Sequence, residues 1–392
     1  MAGLYEYYST KEIRPTHADF ENSAELSQYA ALRKNVFYRL MFPPSQFFGR
    51  RVLEFGPDTG ENSLVFAKWG ARLTLVEPNR EAHSYIREYF SKFKLTEHLD
   101  DVVAATLLEF PSSERFEIID AEGFIYTIQP TSAWVKKMAE CIVPDGFLII
   151  SHMERYGGFI ELLTKAIYQR VASDPTMGAG VETAKHLFLP KWNSVQHTRT
   201  FDSWFMDVIE NPYVRMKYFI DPAALLKEMH DGGFRLYSSW PNYRDTLAMG
   251  WIKAPVDSQA DMQAAISFVE KSRLSHMLGC QCFAAGLSTE KSQKLASLIR
   301  ITDELIDAQS ADACDLAKDI LSNVEGWLAE MGAVNGDSSL DAAGDVVAMA
   351  KTAFHLMRLN SIDQLVEFCR WDKTFLANWG MPNHHAIFQR NS

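Results

Sequence analysis

The chain has 392 residues, with 39 Lys plus Arg against 50 Asp plus Glu, a net charge of −11. A hydrophobic fraction of 47% supports a sizeable core and argues against disorder, and the length calls for two or three domains. The negative field repels phosphate backbones and no dense basic run interrupts it, so no nucleic acid is expected as partner; no apolar run reaches about 18 residues, so no membrane span is expected either.

Residues 1–22 are aromatic and charged without a clear period, and read as an arm or lid. They lack the basic segment and apolar stretch of a secretory leader. Leu26, Tyr29, Ala30, Leu32, Val36, Phe37 and Leu40 keep near-helical spacing, which predicts a helix from Ser23 to Met41, ended by Phe42-Pro43-Pro44. Residues 1–44 are thus an N-terminal arm and helix. A core follows over 45–255, with strands expected at 51–55, 72–76, 102–105, 116–120 and 146–151.

The first of these strands opens onto Glu54-Phe55-Gly56-Pro57-Asp58-Thr59-Gly60-Glu61-Asn62, then the apolar run Leu64-Val65-Phe66-Ala67. This is a strand, a tight turn and a helix. Gly56 and Gly60 lack a Cβ and allow another atom to approach the backbone, and the first amides of the helix point into the turn. Such a turn at the carboxyl end of a parallel strand is where open α/β sheets bind nucleotide-like ligands. The second strand ends in Glu77-Pro78. Glu77 lies 23 positions after Glu54 (77 − 54), near the roughly 20-residue offset at which an acid reaches the ribose hydroxyls. A carboxylate offers two acceptor oxygens in one plane to two neighbouring hydroxyls. Pro57 has no N–H to give a diphosphate, so an adenosine without phosphates fits better than a dinucleotide.

Beyond the fifth strand, residues 152–220 exceed what a minimal sheet needs. They include a helical run from Phe159 to Val171 and an aromatic-rich part with Trp192 and Trp204, expected to cover the substrate. Asp221-Pro222 starts a helix through Met229, terminated by Gly232-Gly233, and 235–239 with 247–252 are expected as a closing strand pair. Residues 256–392 read as a helical accessory domain, with Leu295, Leu298, Ile301 and Leu305, then Leu316, Ile320, Val324 and Trp327, at helical spacing. It packs on the core or mediates homo-dimerisation; the sequence leaves both open.

The cysteines Cys141, Cys280, Cys282, Cys314 and Cys369 are odd in number and scattered, which suits a reducing cytoplasm. Cys280-Gln281-Cys282 is too close-set for a usual zinc half-site, and His384-His385 near the terminus lacks partners in sequence, so no metal is expected.

Residues 51–79 resemble the nucleoside-binding half of class I S-adenosylmethionine-dependent methyltransferases. The resemblance continues through Val102 to Thr106, Phe116 to Phe124 and Val143 to Ile150. It implies a doubly wound, mostly parallel seven-stranded Rossmann-like sheet with one antiparallel edge strand, and S-adenosyl-L-methionine as cofactor. It implies that Glu54, Gly56, Pro57, Thr59, Gly60 and Asn62 border the amino-acid end, and that Glu77 holds the ribose. Pro78, Thr106 and Leu107 would lie near the adenine, Ala121 and Glu122 behind the sulfonium. Thr106 stands where the family often has an acid, and forfeits a charge-assisted bond.

Methyl transfer is an in-line displacement that needs alignment and, for a hydroxyl acceptor, a base. Candidates at the ends of strands four and five are Glu122, Tyr126, His152, Glu154 and Tyr156. His152 ranks first as base because an imidazole titrates near neutrality; Tyr126 would line the transfer site, and His186 and His197 are further candidates. A loose similarity to bacterial methyltransferases of surface-glycan and small-molecule pathways, together with the acidic charge, favours a small or sugar-derived acceptor with a hydroxyl or amine. A non-catalytic nucleoside-binding scaffold, an enzyme moving the aminocarboxypropyl group, and a nicotinamide or flavin dehydrogenase are the alternatives.

Overall fold

Val52-Leu53-Glu54-Phe55 is buried on both faces, as expected of a central parallel strand covered by helices. In the computed structural model, which describes residues 3–15, 18, 20–111, 113–197, 199–248, 251, 253–255, 257–282, 287–335 and 339–392, this segment is β1 (Arg51–Phe55). The strands that follow are β2 (Arg72–Val76), β3 (Leu99–Val103), β4 (Phe116–Ala121), β5 (Ile142–Met153), β6 (Phe234–Trp240) and β7 (Asn383–Arg390). They form one seven-stranded sheet in the order β3-β2-β1-β4-β5-β7-β6. The pairs β2–β3, β1–β2, β1–β4 and β4–β5 are parallel, whereas β6 and β7 are antiparallel. The strand order reverses between β1 and β4, and the crevice typical of such sheets lies at the carboxyl ends of the strands there.

Three sequence expectations need correction. The closing pair is not made by 235–239 with 247–252. Its partner is β7, with Leu236 opposite Phe388 and Trp240 opposite His385. Ala386, Ile387 and Phe388 are buried there, which is the apolar run that residues 247–252 lack: Leu247 and Trp251 are exposed, and Met249, Gly250 and Ile252 lie outside the described residues. The end of the helical C-terminal region is therefore sheet. β3 begins three residues earlier than expected, at Leu99, because the pairing with β2 shifts register between Leu73 and Thr74. β5 likewise starts at Ile142, upstream of the Pro144-Asp145-Gly146 turn signal.

The chain divides into two units, the first comprising Met1–His152, Pro222–Phe268 and His384–Ser392, the second Met153–Asp221 and Val269–Asn383. The first holds the sheet, the helix Ser23–Arg39 and the helix Glu61–Lys68. Its N-cap at Asn22 accepts from the amides of Ala24 and Glu25. Phe37, Phe47 and Phe66 pack into one cluster with Val52, Leu64 and Leu73, Phe47 stacking on Phe66 at 4.7 Å. The arm, which has no clear period in sequence, carries a short helix, Leu4–Thr10.

The second unit is helical, with Phe159–Ala172, Val181–Trp192, Thr289–Glu304, Ala311–Asn335, Ser339–Leu359 and Ile362–Trp371 as its main elements. In Ala311–Asn335 Ile320, Val324 and Trp327 are buried as their spacing predicts, whereas Leu316 is 49% exposed and Cys314, Ala317, Leu321 and Leu328 complete the buried face. Arg215 binds Asp303 at 2.8 Å and Asp307 at 2.6 Å, tying the segment before residue 221 to the helix Thr289–Glu304. Among the described residues no helix is long and apolar enough to cross a membrane.

Candidate functional site

The turn after β1 is shaped by backbone that side chains resist. Gly56 has φ +67° and Gly60 φ +92°, both in the left-handed region that favours glycine. A Cβ on Gly56 would sit 3.0 Å from the Phe124 ring, and one on Gly60 3.2 Å from Ile86 Cγ1. Gly60 caps the helix Glu61–Lys68. Pro57 is buried and its carbonyl accepts from the Gly60 amide at 2.9 Å. Glu61, at the first helical position, is buried and accepts from Thr59 Oγ1 at 2.7 Å and from the Ala18 amide at 3.0 Å; a carboxylate there also suits the positive end of the helix. Asn62 Oδ1 accepts from Tyr29 Oη at 2.9 Å.

Glu54 and Glu77 end consecutive strands beside this turn. Both are buried, and the negative charge of Glu54 adds to what raises Glu77. Ser63 Oγ donates to Glu54 Oε2 at 2.6 Å. Glu77 accepts from the Asp58 amide at 3.2 Å on one oxygen and the Asn79 amide at 2.8 Å on the other. Burial pushes both carboxyls up to about 7, against the hydrogen bonds that each receives. Past Glu77, an open cavity of about 450 Å³ is lined by Tyr8, Ser9 and Arg14 from the arm and by Asn79, Glu81 and Tyr85. Pro78 is half-buried beside it. Thr106 Oγ1 donates to Glu109 at 2.8 Å, so its hydroxyl serves its own turn, and Leu107 is buried.

At the end of β4 the charges are denser. Asp120 is buried and Glu122 nearly so, with 10% of its side chain exposed, and Ala121 between them is wholly enclosed. Arg33, from the helix Ser23–Arg39, meets Glu122 Oε2 at 2.5 Å, and His385 Nε2 lies 3.5 Å from Glu122 Oε1. Burial works to raise the Glu122 carboxyl, but Arg33 and His385 outweigh it and hold it below the usual range. Asp120 goes the other way: burial and the negative charges of Glu122 and Glu54 push its carboxyl well up, with Arg33 only partly opposing them. Asp120 Oδ1 and Arg33 Nε have no hydrogen-bond partner among the described residues.

Tyr126 is buried in the single turn Ile125–Thr127. His152, 1% exposed, has Nε2 3.3 Å from Tyr243 Oη, which lies 2.9 Å from His384 Nδ1. The expectation that His384-His385 lack partners is thus overturned: β7 seats one against Tyr243 and the other against Glu122. Glu154, Tyr156, His186 and His197 belong to the second unit. There Glu154 is buried with its carboxyl pushed up to about 8 by burial, His197 Nε2 lies 2.7 Å from the Trp192 carbonyl, and His186 lies beside Arg370.

Sequence reasoning missed Arg33, Asp120 and His385 as site residues. Arg33 had a signal: it sits seven after Leu26, three after Ala30 and four before Phe37, on the buried face of its helix. A cation at such a position requires a buried anion. His385 gave none, since its partners come from residues 33 and 122.

A family model described as a methyltransferase domain matches residues 26–239, more than half of the chain. Among solved structures the chain is similar to the glycopeptide N-methyltransferase MtfA complexed with (S)-adenosyl-L-methionine, at 17% identity, TM-score 0.26, over 28% of this chain and 49% of that one. It is also similar to the [4+2]-cyclase SpnF, at 9% identity and TM-score 0.40 over 99% and 94%. The N-methyltransferase NodS from Bradyrhizobium japonicum WM9, in complex with S-adenosyl-L-homocysteine, matches at 20% identity and TM-score 0.30 over 38% and 74%. The chain spans about half the length of the glycopeptide enzyme. No curated protein sequence matches it.

Proposed function

Because the chain belongs to the S-adenosylmethionine-dependent methyltransferase family, we propose that the protein moves a methyl group to a hydroxyl or amine of a small-molecule or sugar-derived acceptor. The observation that supports this most is the set of carboxyls around a single guanidinium, Arg33: Glu54 and Asp120, both buried, and Glu122, 10% exposed. Buried carboxyls in excess of their partners hold on to protons, and become charged at least cost when a cation arrives from outside the chain. The cofactor brings two, an ammonium and a sulfonium, together with one carboxylate.

The residues suit that group end by end. Gly56 and Gly60 keep the turn free of side chains where the amino-acid end would approach, with Thr59 and Asn62 beside them. Glu77 has one amide donor on each oxygen, which leaves further lone pairs for two ribose hydroxyls. The cavity past Asn79 falls within the range of small-molecule pockets, and Pro78 and Leu107 offer apolar surface for a base. Pro57 supplies no amide for a diphosphate. When bound, the cofactor supplies an electrophilic methyl group on a positively charged sulfur.

The chain's own part is alignment and charge. Asp120, near Glu122 and short of a donor, is the carboxyl that gains most from a neighbouring cation. The acid-lined end orients the cofactor by attraction, and the enclosed turn keeps water from competing. Tyr126 would line the space where donor and acceptor meet.

The test is to incubate the protein with methyl-labelled S-adenosylmethionine and fractions of a metabolite and glycan extract. Label appearing in a small compound that has gained one CH₂ unit is the expected result. A gain of an aminocarboxypropyl group, or no labelled product in any fraction, would contradict methyl transfer.

A further inference from the structure

His385 lies on β7 opposite Trp240 of β6, far in sequence from everything it meets. Its Nε2 is 3.5 Å from Glu122 Oε1, and the other oxygen of that carboxylate is held by Arg33 at 2.5 Å. The guanidinium holds one oxygen, while the other, which has no hydrogen-bond partner among the described residues, faces the imidazole at ion-pair distance. A ring nitrogen that faces a carboxylate keeps its hydrogen, which leaves the lone pair on the other nitrogen. That nitrogen, Nδ1, has no hydrogen-bond partner among the described residues, although it is shielded from solvent. The His385 side chain keeps 21% exposure, carried by atoms other than Nδ1. A buried acceptor without a donor is unfavourable and calls for an explanation at its site. A donor arriving with the substrate supplies one.

Resting on the methyl transfer proposed above, the geometry points to His385 as the general base of the reaction, and to an acceptor that presents a hydroxyl. Nδ1 takes the O–H proton while the acceptor oxygen bonds the methyl carbon. The carbon–sulfur pair stays on sulfur, which becomes a neutral thioether. One positive charge enters on sulfur and one leaves as the imidazolium, which then gives its proton to water. A hydroxyl needs such help because its oxygen is a weak nucleophile until its proton is shared, whereas a neutral amine already offers a lone pair. Glu122 acts through His385 and is a positioning residue: it sets the tautomer and favours the imidazolium.

The charged groups around the ring are Glu122 from the loop after β4 and Arg33 from the helix Ser23–Arg39, with Asp120 and Glu54 behind Arg33. Burial pushes the His385 imidazole below its ordinary value; Glu122 opposes this and Arg33 adds to it. The ring is then neutral at pH 7, the form a base requires. His152 fits the role less well, being almost wholly enclosed and engaged with Tyr243.

Nitrogen-15 resonance of the histidine side chains in the free protein reads the arrangement directly. The expected result is a neutral His385 at pH 7 with hydrogen on Nε2, and a lower titration midpoint in Glu122→Gln. A charged ring at pH 7, or hydrogen on Nδ1, would overturn the proposal; the unaltered protein suffices for that reading if Glu122→Gln fails to fold. A second measurement uses the extract fraction that takes label from methyl-labelled S-adenosylmethionine. His385→Asn should slow labelling by about 100-fold or more while S-adenosylhomocysteine affinity, by calorimetry, stays within about twofold. Labelling at the normal rate, or label found on nitrogen, would reject the base and the hydroxyl respectively. Failure of S-adenosylhomocysteine to bind the unaltered protein would instead remove methyl transfer itself, whatever the tautomer.

Discussion

Glu54 and Glu122 are both carboxylates enclosed at the ends of neighbouring parallel strands, yet they are driven in opposite directions. Glu54 receives one hydroxyl, from Ser63, and burial lifts it to about 7. Glu122 receives a guanidinium and faces an imidazole, and is held below the usual range in spite of burial. Enclosure alone does not decide the charge of a buried acid; the cation within reach does. The β1–β2 side of the site is thus short of positive charge and suited to a cationic ligand. On the β4–β7 side Glu122 is already compensated and suited to holding a base in place, whereas Asp120 beside it is not.

The comparison breaks most readily at Arg33. Arg33→Ala would leave Glu122 enclosed without its guanidinium, and should cost about 3–5 kcal/mol in denaturant unfolding. A loss under about 1 kcal/mol would mean that Arg33 does not compensate the cluster. Next in size is Glu77→Ala, expected to weaken S-adenosylmethionine binding by about 1–3 kcal/mol by leaving ribose hydroxyls unpaired; unchanged affinity in calorimetry would show that Glu77 is not the ribose ligand. Gly60→Ala should lower stability by about 1–2 kcal/mol, since φ +92° is strained for any side chain and Ile86 lies 3.2 Å from the new Cβ. A neutral effect on the melting temperature would show that the turn relaxes at no cost.

A smaller effect separates the two carboxylates by pH. Glu77, raised to about 7 in the folded protein from an ordinary 4.5, contributes stability that is fully present below about pH 4.5 and lost as pH rises through about 7. Glu122, whose folded value is lowered, contributes in the opposite sense: its stability is present above the ordinary carboxylate value and lost as pH falls through the folded one. Glu77→Gln should therefore flatten the fall in melting temperature between about pH 5 and 7. If the slope is the same in both proteins, the Glu77 carboxyl is not raised by folding.

How much of this was legible in the sequence differs between the two sides for the same reason. The β1–β2 side is local: an acid, two glycines and a second acid fall within residues 54–77, and the turn and both strands lie where spacing put them. The β4–β7 side joins residues 33, 122 and 385, contacts that no window of sequence contains. β7 itself was misplaced because Ala386-Ile387-Phe388 is a short apolar run after a long helical region, and a run of that length does not declare its partner. The helical stripe of Ala311–Asn335 was legible at Ile320, Val324 and Trp327 but not at Leu316, which is exposed although it outranks the buried Cys314 and Ala317 in size.

Calorimetric titration with S-adenosylmethionine at pH 6, 7 and 8, in buffers of different ionisation heat, tests the acid-lined cationic site most directly. Glu54, at about 7, and Asp120, pushed well up, should give up protons to the buffer as the sulfonium and ammonium bind. Affinity should then rise with pH across this range, and less steeply for the uncharged thioether S-adenosylhomocysteine. Binding that releases no protons and ignores pH, or no binding of either compound, would contradict it.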